Sequence, residues 1–240
     1  MREVEAADAA RNNAAWCDAV CSAHGRPGIF FDSHWIQRAP APWLYPNLVT
    51  LDSAVEPAMA AVREIDATRP GGGWAVKDSF AVLPLAPAGF RVLFDAAWIV
   101  RPASTASRRV SVADSRWSRV RSEAELAAWE AAWGESLGGA RVLLPELLLR
   151  DEIAILGARD DRGEIRAGVA LNRTGPIVGL SNFFAAPEQR AALRAECIDA
   201  AAATFPDLAL VGYETGQDLA ECQALGFSSR GPLRVWARET

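Results

Sequence analysis

Histidine, tyrosine and methionine are scarce in this 240-residue chain, with two of each, and there are only four cysteines. Cys17, Cys21, Cys197 and Cys222 are too few and too scattered for a disulfide framework, so reduced thiols are expected. No apolar run approaches the ~20 residues a bilayer-spanning helix needs, and Met1-Arg2-Glu3-Val4-Glu5 leads into no apolar leader segment. A soluble, cytoplasmic protein with no membrane partner is therefore expected. An excess of basic charge is also missing: 25 Lys and Arg stand against 30 Asp and Glu, interspersed along the chain. That balance leaves no electrostatic footprint for a nucleic-acid partner.

Half of the residues are hydrophobic, enough for one large core or two small ones. Alanine is abundant and arginine dominates the basic residues, a composition that reads as GC-rich coding. Cys17, Cys21 and His24 share one face of an expected helix, and His34 follows after a turn, a conceivable set of zinc ligands. Trp16, Cys17, Val20 and Cys21 also read as a buried helix stripe with cysteine as a small hydrophobe, which needs no ion. No metal site is assigned.

In chain order, the spacing predicts a helix from Val4 to His24, stopped by Gly25-Arg26-Pro27-Gly28. Ile29 to Phe31 reads as a short strand or buried loop. Trp35 to Pro46, with three prolines, reads as irregular. Asn47 to Leu51 is a strand, followed by a helix capped by Asp52 or Ser53 and running to about Thr68. Strands at Trp74 to Val76 and Val92 to Val100 enclose Gly89-Phe90. Arg101 to Ser111 reads as a linker, which places one domain at residues 1–105 and a second at 112–240.

The second section opens with a strand at Arg116 to Val120 and a helix from Ser122 to about Trp133, with Ser122 and Glu125 as a capping box. Leu143 to Leu149 is either a strand or a helical turn. Glu152 to Arg159 and Arg166 to Arg173 form a hairpin around Asp160-Asp161-Arg162-Gly163. Ile177 to Phe184 is apolar enough to be central in a sheet. Pro187 then opens a helix that runs to about Thr204, with Leu193, Cys197, Ile198 and Ala201 on one face. Leu208 to Tyr213 is a strand, Asp218 to Leu225 a short helix closed by Gly226, and Leu233 to Ala237 a last strand.

The two sections share a pattern: a strand, a Gly-Phe pair, then a strand bearing tryptophan. Trp74 to Val76, Gly89-Phe90 and Trp98 match Val211 to Tyr213, Gly226-Phe227 and Trp236, with Leu85 opposite Cys222. Its occurrence at the end of each half points to a tandem duplication.

The order of elements from about Glu152 to Trp236, together with Leu225-Gly226-Phe227 and Ala185-Ala186-Pro187-Glu188-Gln189-Arg190, resembles the GNAT superfamily of coenzyme A-dependent N-acetyltransferases. The resemblance implies an α/β chain with a mixed α+β sheet, a tandem GNAT-like acyl-CoA N-acyltransferase fold whose first half is degenerate. It further implies acetyl-CoA or another acyl-CoA as cofactor, and a small-molecule amine or peptide as acceptor. The protein would be a monomer or homodimer.

In such a fold Ser181, Asn182, Phe183 and Phe184 would face the acyl-pantetheine arm. Gln189, Arg190, Ala191, Ala192, Leu193, Arg194 and Ala195 would form the pyrophosphate turn at a helix N-terminus. Leu193 stands where the family carries a central glycine, so its side chain is expected to crowd the turn or bar an unusual backbone conformation. Cys222 stands where many members have a tyrosine acid; it is either a proton donor or packing. Glu214, at a strand end, is either a general base or the partner of an arginine such as Arg234. Asn182 either opens the strand to the cofactor or ends it. Lys77 and Asp78, the counterparts of this position in the first half, would form an ion pair or a charged pocket. His34 and Trp35 would line a ligand mouth or lie in solvent. An acyltransferase and a non-catalytic binding protein with an altered cofactor turn are both compatible with these residues, as is a site built between the two halves.

Overall fold

The computed structural model describes residues 2–68, 73–103, 116–134 and 140–238. The domain boundary and residues 104–111 of the linker expected from Arg101 to Ser111 lie outside these residues, and Arg101 itself ends a strand.

Among the described residues five α-helices flank one mixed sheet of eleven strands. In chain order they are α1 (Ala6–Ala23), β1 (Ile29–Phe30), β2 (His34–Ile36), β3 (Leu48–Thr50), α2 (Val55–Thr68), β4 (Trp74–Asp78), β5 (Arg91–Arg101) and β6 (Trp117–Arg119). There follow α3 (Glu123–Trp133), β7 (Ile153–Arg159), β8 (Ile165–Thr174), β9 (Ile177–Ala185), α4 (Arg190–Thr204), β10 (Ala209–Glu214), α5 (Gly216–Ala224) and β11 (Ser228–Arg238). The sheet order is β1-β2-β3-β4-β11-β5-β10-β9-β8-β7-β6.

That order interleaves the two ends of the chain. β5 pairs antiparallel with both β10 and β11, and β11 pairs antiparallel with both β4 and β5. Each half thus sends its final strand to lie beside the other half's penultimate one. Both halves also contain a parallel pair joined through a helix, β3-α2-β4 and β9-α4-β10.

Side-chain alternation along the strands decides which helix covers which face. On β5, Trp98 and Val100 pack with Ala9 and Ala10 of α1, while Ile99 points to the cluster holding Leu193 and Cys197 of α4. Trp129 of α3 joins the α1 side, packing against Phe184 and over Gly157 and Gly168. Val76 and Trp236 pack with Val62 and Ile65 of α2 on the α4 side. So α1 and α3 cover one face; α2, α4 and α5 cover the other.

Local expectations are largely met. Ser122 Oγ accepts from the Glu125 amide at 3.3 Å and the Glu125 carboxylate accepts back from Ser122 N, closing the capping box. Leu193, Cys197, Ile198 and Ala201 all lie in the core. Gly89 and Gly226 take left-handed φ values of 83° and 91°, the backbone that makes glycine the default after a helical turn. Pro145–Leu149 is a 3-10 turn.

Elsewhere the structure differs. β4 continues through Lys77 and Asp78, which therefore point to opposite faces and make no ion pair with each other. Asp78 instead accepts from the Leu83 amide at 2.8 Å. His34 and Trp35 are buried in β2 rather than at a ligand mouth. Trp98 and Trp236 lie on opposite faces, because the interval from the Gly-Phe pair to the tryptophan is one residue longer in the second half and a one-residue slip turns a side chain over. The would-be metal ligands are otherwise engaged: Cys17 and Cys21 sit in the core, and His24 Nε2 lies 2.9 Å from the Val142 carbonyl.

Trp98 is 1% exposed, donates to the Ser79 carbonyl at 2.8 Å and meets Tyr213 edge-on. Trp98→Ala should lower stability by about 3–5 kcal/mol. Because β5 and β11 pair with strands from both ends of the chain and tie them into one sheet, urea unfolding followed by fluorescence and circular dichroism should remain a single coincident transition. Two separated transitions would show halves that fold independently.

Candidate active site

β9 and β10 run side by side only as far as Gly179 and Val211, after which the parallel ladder ends and the strands diverge. β9 then bulges. Gly168 of β8 faces Phe184 and Ala170 faces Ser181, so Asn182 and Phe183 together oppose one residue. Asn182 takes a left-handed φ of 56°, a conformation that asparagine tolerates better than most residues, and β9 continues through it to Ala185. Asn182 therefore does not end the strand. Its Oδ1 accepts from Trp16 Nε1 at 3.1 Å and from the Tyr45 hydroxyl at 3.2 Å.

α1 is clamped beside this opening. Asn12 donates to the Asn172 carbonyl at 3.0 Å and Asn172 donates back to the Asn12 carbonyl at 2.9 Å. The amides meet over Gly179, where a Cβ would lie 2.0 Å from Asn12 Oδ1. Glycine is required here by close approach, not by turn geometry.

The opening belongs to a cavity of about 930 Å³ lined by residues from both halves of the chain. From the α4 face it receives Arg190, Arg194, Glu214 and Cys222, and from the α1 face Asn13, Tyr45, Lys77 and Tyr213. Of the residues singled out from the sequence, Ser181, Asn182, Phe183, Arg190, Arg194, Glu214 and Cys222 line it. Phe184 packs on Trp129 instead, with ring centroids 4.9 Å apart.

The expected pyrophosphate turn takes another form. Pro187–Gln189 is a single 3-10 turn, and α4 begins at Arg190, so Arg190 to Ala195 are helical. Gln189, Ala191 and Ala192 are exposed beside this N-terminus. Leu193 is 2% exposed and buried with Cys197 and Ile198. Ordinary helical backbone needs no glycine, and a leucine aimed at the sheet does not crowd the cleft. Arg190 and Arg194, one turn apart, both lie over the Phe183 ring, at 5.3 and 4.5 Å from its centroid.

Arg194 is the electrostatic centre. Its side chain is 4% exposed. Nη1 meets Glu214 at 2.7 Å and Cys222 Sγ at 3.5 Å, Nη2 meets Asp218, and Nε lies 3.5 Å from Glu221. Arg190 grips Asp218 with both prongs of its fork, at 2.8 and 2.9 Å. Arg234 is engaged elsewhere, by Asp95 at 2.6 Å. Glu214 therefore pairs with Arg194, a turn into α4, rather than with its neighbour on β11.

Burial pushes the Glu214 carboxyl above its ordinary value despite Arg194 beside it. The hydrogen bond from Arg190 holds Asp218 below its ordinary value against the opposing effect of burial. Burial raises the Cys222 thiol to about 11, so it keeps its proton at neutral pH. Asp218 and Glu221 were not anticipated as site residues, although with Cys222 they fall at i, i+3 and i+4 of one helix and so share a face. Of Lys77 and Asp78, expected to form an ion pair or a charged pocket, Lys77 alone lines the cavity, where it meets Tyr213.

No family model and no curated protein matches the chain by sequence. Solved structures do. A GCN5-related N-acetyltransferase from Kribbella flavida superposes with a TM-score of 0.57 at 15% identity, covering 97% of this chain and 96% of that one. A GNAT-family protein from Novosphingobium aromaticivorans superposes with a TM-score of 0.58 at 14% identity, covering 94% and 98%. This chain has the GNAT fold. The GNAT likeness extends to Saccharomyces cerevisiae N-myristoyltransferase, solved with bound myristoyl-CoA, with a TM-score of 0.51 at 9% identity over 80% of this chain and 58% of that one.

Replacing Arg194 by Met would leave Glu214, Asp218 and Glu221 facing one another without their shared cation. The expected loss of stability at pH 8 is about 3–5 kcal/mol. Freed of Arg194, which lowers both, Glu214 and Asp218 titrate at higher pH when folded, so the penalty is full above those values and shrinks as they protonate on acidification. Urea denaturation at pH 8 and pH 5 should show the deficit narrowing; equal deficits would mean that the arginine acts only through packing.

Proposed function

We propose that the chain is an acyl-CoA-dependent N-acyltransferase, moving an acyl group, acetyl in the simplest case, to the amine of a small molecule or peptide. The observation that carries this reading is the divergence of β9 and β10 at the Asn182 bulge, opening a cavity beside the N-terminus of α4. The fit to an acyl-CoA is favourable on three counts. Past Gly179 the β10-facing edge of β9 pairs with no strand among the described residues, so backbone groups of Ser181, Asn182 and Phe183 are available to a strand-like arm. The cavity, about 930 Å³, is at the large end of small-molecule sites, which span ~300–1,000 Å³. The α4 terminus favours anions, and Arg190, whose side chain is 33% exposed, can exchange Asp218 for a phosphate.

Acyl-CoA supplies the acyl group already activated as a thioester. The protein's part is to hold amine and thioester together, the largest share of the rate. Glu214, with its raised carboxyl, is the group we assign to take the proton from the attacking amine. Cys222, still a thiol at neutral pH, is the group we assign to give a proton to the departing thiolate. Arg194 positions both.

We also read the chain as two GNAT-like halves, residues 1–105 and 112–240, that have exchanged last strands. The repeated β3-α2-β4 and β9-α4-β10 units support this, as does the reciprocal pairing of β5 and β11. The first half's split is closed, with Thr50 Oγ1 accepting from the Ser79 amide at 2.8 Å, which fits a single site in the second half. Four buried free thiols suit a reducing compartment such as the cytoplasm.

Isothermal titration with acetyl-CoA should show binding, and native mass spectrometry of the purified protein should show any acyl-CoA it retains. No heat at millimolar acetyl-CoA and no retained ligand would remove the acyltransferase reading. Given turnover, Glu214→Gln should lower kcat/KM on the order of 10²-fold or more. The wild-type acid limb should lie above the ordinary glutamate range near ~4.3 and be lost in the variant. An unchanged pH profile would exclude Glu214 as the base.

A further inference from the structure

Lys77 is the chain's sole lysine among 25 basic residues. Every other fixed cation is an arginine, so the one compact ammonium sits at a position of its own. It projects from β4 towards α1, is 6% exposed, and lines the cavity. Nζ donates to Asn13 Oδ1 at 2.7 Å and to the Tyr213 hydroxyl oxygen at 3.4 Å, and lies 4.5 Å from the centre of the Tyr213 ring.

These partners, an amide oxygen, a phenol oxygen and an aromatic face, suit an ammonium ion but carry no formal negative charge. Lys77 forms no ion pair with a carboxylate among the described residues. Three arginines on the same cavity differ: Arg190 meets Asp218, Arg194 meets Glu214 and Arg238 meets Asp66. A buried ammonium without a counter-charge is costly to maintain, and an anion brought by a ligand would remove that cost.

The cavity mouth has a second character. Trp43 and Leu44 are each 50% exposed, with Leu93 at 44% and Phe94 at 39%, and all four line the same cavity. Leu44 is held at a φ of 70°, a backbone conformation that leucine rarely takes. An apolar wall at the mouth and an ammonium paired with no carboxylate inside suit a ligand with an apolar body and a terminal acid.

We propose that Lys77 anchors the carboxylate of an acceptor whose apolar or aromatic body lies against Trp43, Leu44, Leu93 and Phe94. As a statement about the acceptor it rests on the acyltransferase reading; as a statement about an anion site it does not. The class of substrate is therefore an amine-bearing hydrophobic carboxylic acid. Lys77 is a specificity-determining residue, held in place by Asn13 and Tyr213.

The test uses 3-phenylpropionate and 3-phenylpropanamide, which share a body and differ in charge, with no amine and no acyl-CoA present. By calorimetry the acid should bind the full-length protein roughly tenfold to a hundredfold tighter than the amide, the range for a hydrogen bond to a charged group. Lys77→Met should erase that preference and Lys77→Arg should retain part of it. Equal binding of acid and amide, binding of neither, or a preference that survives Lys77→Met would overturn the proposal.

Labelling with ¹⁵N-lysine gives a single side-chain signal, because there is a single lysine. At neutral pH it should report an ammonium whose resonance moves with the acid and not with the amide. A neutral amine would overturn the proposal and make Lys77 a base instead. If Lys77→Met does not fold, the two wild-type measurements still decide. Loss of acyl-CoA binding in a protein that keeps the acid preference would refute the transferase reading and leave the anion site standing.

Discussion

The antiparallel pairing of β5 with β11 is the constraint on which the remaining structure depends. Neither strand lies beside its own half's preceding strand. β5 runs between β11 and β10, and β11 runs between β4 and β5. Ladders of backbone hydrogen bonds therefore cross the midpoint of the chain on both sides of the pair, and neither half has a complete sheet without the other's last strand. A chain with this pairing gains a long, continuous sheet from two modest sections, and places α1 on the face opposite α2 and α4.

The cavity follows from the same pairing. With β5 held against β10, β9 can diverge from β10 without opening the sheet's far side. Clamped through Asn12 and Asn172, α1 sits at the divergence and supplies Asn13 and Trp16. The result is a cavity with two electrostatic characters. On the α4 face two arginines are embedded among carboxylates, each charge answered by another. On the α1 face one lysine is surrounded by neutral acceptors. Burial raises one carboxyl against its arginine, an arginine hydrogen bond lowers another, and burial keeps a thiol protonated, so neighbouring groups of one site differ in their hold on a proton.

Much of the second half was legible in local pattern. The 3.6-residue spacing of Leu193, Cys197 and Ile198, the proline before α4, the Ser122 capping box and the glycine after α5 each report a local preference that the fold obeys. The residues that line the β9–β10 opening were grouped through the GNAT resemblance, which sets them at the end of one strand and the start of the next helix. What was misread depended on contacts between distant segments. Lys77 and Asp78 are adjacent in sequence and opposite in space; Trp98 and Trp236 look alike and face apart.

Residue order and spacing were sufficient for the succession of elements and for the core face of α4, and the resemblance to the GNAT superfamily pointed to Arg190, Glu214 and Cys222 as neighbours of one cleft. Only the tertiary structure decided that Arg194 is the partner of Glu214 and that Lys77 shares a cavity with Tyr213 from the other half. Local patterning reflects hydrogen bonding and packing within a few turns of chain, which composition and periodicity encode directly. The pairing of β5 with β11 joins residues more than a hundred positions apart, and no local periodicity records which strand a final strand will choose as its neighbour.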